Sequence, residues 1–419
     1  MSDGDRHLLL QCGTNSIRGE QEINGFGVEW VLFAKEPNGN KTSGGFLFSF
    51  GQTNQRKNIP ERNMLVRKLV TCLFALLLLG LSGCSPFGQP RQEAAPQNRG
   101  SIMNSKSHEN MSRIVLGWNA FGTTDTYIQQ NSVSPQMNVV SPRWFSLDEE
   151  RLVSGEADPR YINWAHESGK KVWAFFGNQF NAELTDSVIG NRDNHIKIAK
   201  LLEEKMVPTK IDGVNVDFEN INPENKDDFV EFVKQLKKTL SPHGIVVSVD
   251  VTRENPDPFW SGSYDRKELG RTADYIVMMG YDQDLGGGEK VGSVASLQWV
   301  EEGLQLLIKD VPPEKILLAL PFYTREWVTN LQTNQSMRFD RNMQETEQLL
   351  AEKKLTKKWD DKTKQNYVEF IENGEKHQIW IEDEMSMKQR LDLVNKYRLK
   401  GSAVWYVGQE TPSIWPVFN

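Results

Sequence analysis

Cysteine is almost missing from this chain. Its 419 residues include three, Cys12, Cys72 and Cys84, and none follows. Everything beyond Cys84 therefore lacks a disulfide and a thiolate metal site. Histidine is nearly as scarce, six in all, with no HExxH-type spacing, which argues against a zinc centre. Basic charge is not in excess either: 49 Lys and Arg against 56 Asp and Glu leave a formal net charge of −7. A nucleic acid partner is disfavoured, because phosphate backbones attract basic surfaces. What the chain does have is a charged fraction of 25%, an aromatic fraction of 10% and 12 tryptophans, a composition of globular type.

One apolar run stands out. Residues 64–84 read MLVRKLVTCLFALLLLGLSGC. Arg67 and Lys68 give a short basic region, and Leu69 to Leu81 form an apolar core too short for a comfortable membrane span. Ser82 and Gly83 then precede Cys84. The segment resembles a bacterial lipoprotein signal ending in a lipobox, which implies cleavage before Cys84 and its acylation; an uncleaved transmembrane anchor is the plainer reading. Either places the rest of the chain on the extracellular face of the cell membrane. Such signals begin at an N-terminus, yet residues 1–63 come first, rich in Gly, Asn and Ser and without sustained periodicity. Met64 is therefore expected to be the true start, with 1–63 a non-native upstream extension or disordered. Residues 85–111, rich in Pro, Gln, Asn and Ser, read as a flexible linker. The folded domain is expected over 112–419.

From Arg113 the chain alternates. Apolar strand-like runs are predicted at Arg113–Gly117, Asn138–Ser141, Lys171–Phe176, Ile211–Phe218, Ile245–Val251, Tyr275–Tyr281, Ile316–Pro321 and Gly401–Trp405. Helical patterns are predicted at Tyr161–Ser168, Asn194–Glu204, Lys226–Leu240, Val294–Lys309 and Met387–Tyr397. Eight such units point to an α/β fold, a (β/α)8 TIM barrel. The rival, a doubly wound open sheet, lacks a glycine-rich phosphate loop after its first strand. Residues 322–383 form a long gap before the last helix. They carry YVEFI (Tyr367–Ile371), a turn at Glu372–Gly374 and QIWI (Gln378–Ile381), the marks of a small α+β insertion with a hairpin.

The chemistry concentrates in DGVNVDFE, Asp212–Glu219. Alternation puts Gly213, Asn215, Asp217 and Glu219 on one face and Val214, Val216 and Phe218 on the other. In a barrel the apolar face meets the helices, and the polar face looks into the lumen with both acids near the C-terminal mouth. Buried carboxylates without a purpose are costly. Two residues apart, these lie roughly 6–7 Å apart at Cβ, so one should hold its proton to higher pH, as a general acid requires. A solvated edge strand with one polar face is the plainer alternative.

DGVNVDFE resembles the DxxDxDxE signature of glycoside hydrolase family 18, the chitinase-like barrels. Met279, Tyr281 and Asp282 in MGYD resemble the family's Met-x-Tyr-Asp at strand six. Pro321, Tyr323, Arg325 and Trp327 are similar to its strand-seven segment, and Trp405 stands where the family has the tryptophan floor of its sugar site. SPRWF (Ser141–Phe145) and WYVGQE (Trp405–Glu410) look closest to the bacterial spore-cortex and cell-wall branch. The resemblance covers roughly residues 113–419 and implies a glycosidase that needs no metal or cofactor. It implies that Glu219 protonates the leaving oxygen, that Asp217 orients the 2-acetamido group whose carbonyl attacks the anomeric carbon, and that Tyr281 donates to that group. Met279, Asp282 and Trp405 would shape the sugar pocket. Tyr323, Arg325, Trp144 and Asn215 are further candidates for substrate binding. The expected partner is a β-linked N-acetylglucosamine glycan, peptidoglycan first and chitin second. The other class of function is a non-catalytic carbohydrate-binding protein on the same barrel; family members of that sort usually lose the acid, which is present here.

One departure from the motif is Asn215, where the family has aspartate. Asn215 can hydrogen-bond Asp217 but takes no charge, so a simpler acid limb in the pH profile is expected. The tryptophans divide. Trp173 reads as core and Trp299 as a structural helix residue. Trp118 and Trp144 stand near strand ends, in the core or in a sugar groove. Trp260 and Trp327 fall in predicted βα loops as sugar platforms. Arg325 either touches substrate or pairs with a loop carboxylate.

Overall fold

The computed structural model describes residues 113–283 and 290–418, with three strands nearer the N-terminus. Those three, Ser16–Ile23, Phe26–Phe33 and Phe48–Gly51, pair antiparallel as a unit of their own. The first of them, SIRGEQEI, has no apolar alternation and so carries no periodic strand signal. The signal-like stretch 64–84 with Cys84 and the linker 85–111 lie outside the described residues. Among the described residues no helix is long and apolar enough to cross a membrane.

The second unit is a closed barrel. Its strands are β1 (Ile114–Asn119), β2 (Val139–Asp148), β3 (Lys171–Gly177), β4 (Gly213–Asp217), β5 (Val246–Thr252), β6 (Tyr275–Met279), β7 (Ile316–Pro321) and β8 (Gly401–Trp405). Each is parallel to its neighbours, and β8 pairs with β1 and β1 with β2, which closes the ring. This is a (β/α)8 TIM barrel. The strands are near-continuous runs of buried residues, as parallel strands covered on both faces must be.

The outward residues of β4 show how the ring is held. Val214, Val216 and Phe218 are fully buried. Phe218 stacks on Phe229 and Phe232 of helix Lys226–Leu240, at 5.8 and 5.6 Å between ring centres. The lumen below the site is filled rather than open: Trp173 stacks on Tyr275 at 5.5 Å and lies across Gly213. A Cβ at Gly213 would come within 2.6 Å of the indole, so glycine is needed there for close approach.

Several elements exceed their predicted extent. β2 runs well past Ser141, and beyond a register shift between Arg143 and Phe145 it turns back through Leu152–Ser154. Helices Thr124–Ser132, Ala182–Ile189, Arg266–Thr272 and Met343–Glu352 lacked a clear apolar stripe in the sequence. In the first of them only Tyr127 and Asn131 are buried.

The chain leaves the C-terminal end of β7 directly into the inserted unit, a five-stranded antiparallel sheet. Its hairpin is Gln365–Glu372 with Glu375–Ile381. Tyr323–Asn330 is one of its central strands, not a βα loop. Helix Met343–Glu352, started by an Asn342–Glu345 capping box, covers a small core of Leu350, Val368, Ile379 and Ile381. The insertion is bolted to the barrel through Glu382, which receives both ends of the Arg390 guanidinium at 2.8 and 3.0 Å, Gln365 Nε2 at 2.9 Å and Ser386 Oγ at 2.8 Å. Arg390 also donates to the Ala295 carbonyl.

Candidate active site

β4 ends at Asp217, and Glu219 follows in the turn beyond it. Two side chains fix that turn. Asn178, buried just after β3, accepts from the Glu219 backbone N–H at 3.0 Å and donates to the Glu219 carbonyl at 2.6 Å. Tyr264 Oη donates to the Phe218 carbonyl at 2.8 Å. The acid is thus held through its backbone while its side chain stays free.

Asp217 and Glu219 open into a cavity of about 230 Å3 at the C-terminal mouth, the end where barrel sites lie. Asp250 and Asp282 line the same space, with Tyr281 and Met279 from the end of β6. Trp405 and Trp118 meet edge to face at 5.7 Å on one side. The Trp405–Tyr406 peptide is cis. Trp260 and Trp299 line the other side. Thr252 Oγ1 donates to the Trp260 carbonyl at 2.8 Å, and the Arg253 guanidinium lies 4.9 Å over the Trp299 ring. Phe180 reaches the rim from a left-handed backbone conformation, φ +56°. Among the described residues no group of three or more His, Cys, Asp or Glu converges as a metal would require.

The acids keep an edge to the cavity, yet protein packs closely around them. Burial pushes the Asp217 carboxyl up to about 7, opposed by the positive charge of Arg143. Glu219 is raised well above the ordinary carboxylate range, by burial first and then by the charges of Asp217 and Asp282. Asp250, 1% exposed, is raised by burial and by Asp217. Burial and the surrounding acids keep the Tyr281 phenol protonated far above neutrality. The site therefore favours the protonated form of its acids and presents one phenol donor. Asp217 Oδ1 is buried with no hydrogen-bond partner among the described residues.

Of the residues singled out in the sequence, Glu219, Asp217, Tyr281, Met279, Asp282 and Trp405 converge on this one cavity, and Trp118 and Trp260 join them. Others do not. Asn215 is wholly buried beneath the floor. Its carbonyl accepts from Trp118 Nε1 at 2.6 Å, and its amide donates to Asp250 at 2.7 Å and Ser248 at 3.1 Å. The expected bond to Asp217 is therefore replaced by one to Asp250. The expected loss of a carboxylate from the coupled set is offset too, because Asp250 on the next strand enters it.

Tyr323 and Arg325 stand behind the wall. Both donate to Asp282, at 2.6 and 3.0 Å, and Arg325 also pairs with Asp340 at 2.7 Å. Arg325 is thus a salt-bridge residue. Asp282 adopts φ +64° under these two bonds. Trp144 packs edge-on against Tyr161 at 5.6 Å, away from the cavity. Trp327 is buried and donates to the Gly292 carbonyl. Trp299, read as structural, lines the cavity instead.

Asp250, Thr252, Arg253 and Asn178 were missed. A strand pattern could have flagged Asp250, since IVVSVDV places Ser248 and Asp250 on the lumen face of β5, level with Asn215 and Asp217.

Comparison with known proteins agrees with the geometry. The profile described as Glycosyl hydrolases family 18 matches residues 106–410. An uncharacterized glycosylase of Bacillus subtilis, YvbX, is 24% identical over 324 residues, covering 75% of this chain and 93% of that protein. A cortical fragment-lytic enzyme of Bacillus anthracis is 25% identical over 248 residues, covering 56% of this chain and 55% of its own, so the match spans about half of that relative. Among solved structures, a chitinase from Chromobacterium violaceum superposes with a TM-score of 0.66 at 22% identity, covering 73% of this chain and 98% of that one.

Proposed function

The chain belongs to glycoside hydrolase family 18, and from that premise we propose that it cleaves β-linked N-acetylglucosamine glycans by substrate-assisted retention, the scheme in which no enzyme carboxylate attacks the sugar. Glu219 holds its proton at neutral pH and gives it to the glycosidic oxygen as that bond breaks. The acetamide carbonyl of the same sugar forms the new bond to the anomeric carbon, giving an oxazolinium ion. Asp217 accepts the acetamide N–H and offsets the positive charge. Tyr281 donates to the acetamide oxygen. Water then attacks the anomeric carbon from the side the leaving group vacated, and Glu219 takes its proton back. Trp405 lies beneath the ring as an apolar floor.

The observation that carries this reading is the single cavity in which Glu219, Asp217, Tyr281 and Trp405 meet. Peptidoglycan is the preferred substrate class, favoured by the cortical fragment-lytic relative, with chitin second. Release of reducing ends from chitooligosaccharides, together with turbidity loss of purified wall and mass spectrometry of the digest, tests it. A wall digest with N-acetylglucosamine at the new reducing end is expected. Binding without any cleavage would make the protein a lectin-like barrel instead.

The signal-like stretch ending at Cys84 extends the proposal to place: an acylated Cys84 holds the barrel on the outer face of the cell membrane, near the wall. Intact mass of the mature protein tests this. A mature chain that begins at Cys84 and carries lipid is expected, and one that retains residues 1–63 would overturn it.

A further inference from the structure

Arg143 is the cation whose charge bears on both Asp217 and Glu219, yet none of the hydrogen bonds or ion pairs described so far includes it. Strand register explains its position. Trp118 pairs with Ser141, Arg143 with Phe175, and Phe175 with Asn215. Trp118 and Asn215 hydrogen-bond inside the lumen, so residue 143 starts on that inner face of β2. From there its side chain rises to the mouth, where it is exposed.

The guanidinium is parked on aromatic faces. It lies 5.7 Å over the Phe121 ring and 5.6 Å over Phe175. Among the described residues it makes no ion pair and no hydrogen bond. Contact with two ring faces confines the guanidinium while its N–H groups keep no protein acceptor, so they can take a carboxylate. Phe121 is itself 60% exposed and touches Tyr406 edge to face at 5.5 Å. Tyr406 in turn meets Trp405 at 5.8 Å. A chain of edge-to-face aromatic contacts therefore leads from the cavity floor to an unpaired cation, with Phe121 as its exposed shelf.

We propose that Arg143, Phe121 and Tyr406 form a sugar subsite beside the cavity that selects a saccharide bearing a carboxylate. It rests on the reading that the cavity takes a glycan, and it narrows the substrate class. A neutral chitin-like chain leaves the guanidinium unmatched. A glycan whose sugar next to the cleaved N-acetylhexosamine carries a lactyl-ether or uronic carboxylate supplies both an apolar ring face for the shelf and an anion for the guanidinium edge.

Binding to the Glu219→Gln protein, measured by calorimetry, tests this without turnover. Three tetrasaccharides serve as probes: chitotetraose, an N-acetylglucosamine–N-acetylmuramic acid repeat with free lactyl carboxylates, and a hyaluronan fragment with uronic carboxylates. At least one carboxylated probe is expected to bind tenfold or more tighter than chitotetraose, and the tighter of the two identifies the source of the anion. Adding Arg143→Gln should abolish the preference, Arg143→Lys should keep part of it, and raised salt should weaken it. Equal affinity for all three probes, or a preference that survives Arg143→Gln, would overturn the subsite. Failure of the parent protein to cleave any glycan would instead overturn the hydrolase reading, with the binding result standing on its own.

Discussion

Asn215 donates its side-chain amide to the carboxyl of Asp250 at 2.7 Å, between neighbouring strands on the lumen face of the barrel. Where the family motif puts an acid in β4, this chain has an amide in β4 and an acid in β5. The pair is a buried donor and acceptor without solvent. Replacing the donor by a second acid, Asn215→Asp, sets carboxyl against carboxyl and leaves the Trp118 indole N–H and the Ser248 hydroxyl as donors to residue 215. A loss of about 1–3 kcal/mol is expected, as for a buried polar group without its partner. It should deepen as pH rises, since ionising both acids in one buried space is unfavourable. Asp250→Asn added to Asn215→Asp exchanges the two roles and should recover most of the loss. Thermal melts of the four proteins at pH 6 and pH 8 measure the coupling; strictly additive effects would show that the two side chains act independently.

The carboxylates beside it set a pH dependence. Asp217 has a folded value of about 7 against roughly 3.9 for an unperturbed aspartate. Between those values the folded chain binds more protons than the unfolded chain. The contribution is therefore fully present below about pH 4 and is lost as pH rises through 7. Asp217→Asn removes the ionising group, so it should raise Tm more at pH 8 than at pH 5. Turnover moves the other way. The acid limb of kcat/KM should centre near pH 7, where Asp217 ionises, and the basic limb should follow the deprotonation of Glu219. Glu219→Gln should cost several orders of magnitude in kcat while the melt stays cooperative. Near-parental turnover in that variant would remove Glu219 from the chemistry.

How much of this was legible in the sequence follows from range. Alternation along β4 is local, and DGVNVDFE alone puts Asp217 and Glu219 on one face of one strand. Spacing within MGYD likewise keeps Tyr281 and Asp282 together at the end of β6. Positions of β5 relative to β4 depend on register between strands far apart in the chain, so the Asn215–Asp250 bond had no local signal. Trp299 sits on a helix whose pattern reads as core packing, and only the turn at the barrel mouth exposes its ring to the cavity. The error at Tyr323 and Arg325 has the same origin. Both lie next to a motif strand, but the chain turns at once into the inserted sheet, which carries them behind Asp282.

The Glu382–Arg390 pair, which does not line the cavity, offers a separate test. Both side chains are essentially without solvent exposure. Burial raises Glu382 to about 7, with Arg390 pulling it down. Arg390→Met leaves a buried acid without its counter-charge, and a loss of about 3–5 kcal/mol is expected. Removing the guanidinium lifts the Glu382 value further, so the loss should be greater at pH 8 than at pH 5, where the acid stays neutral. The double variant Arg390→Met with Glu382→Gln should regain a large part. Chemical denaturation at both pH values checks it, and a pH-independent loss would mean that packing rather than charge dominates.

Asn178 is the last and most local test. Its side chain satisfies both the N–H and the C=O of Glu219 and also donates to Thr185 Oγ1 at 2.8 Å. It does not line the cavity, so it acts on the reaction only through the placement of Glu219. Asn178→Ala frees that turn, and misplacement of a catalytic group by about 1 Å costs on the order of 100-fold. The expected result is a fall in kcat of that size with KM little changed. The basic limb of the pH profile should keep its position, because the burial and charges that hold the Glu219 proton come from other residues. Asn178→Asp retains the acceptor for the Glu219 N–H but loses the donor to its carbonyl, so it should fall between parent and alanine variant. Parallel loss of kcat and of thermal stability in both variants, with a displaced basic limb, would mean that Asn178 shapes the electrostatics of the cavity rather than the position of the acid.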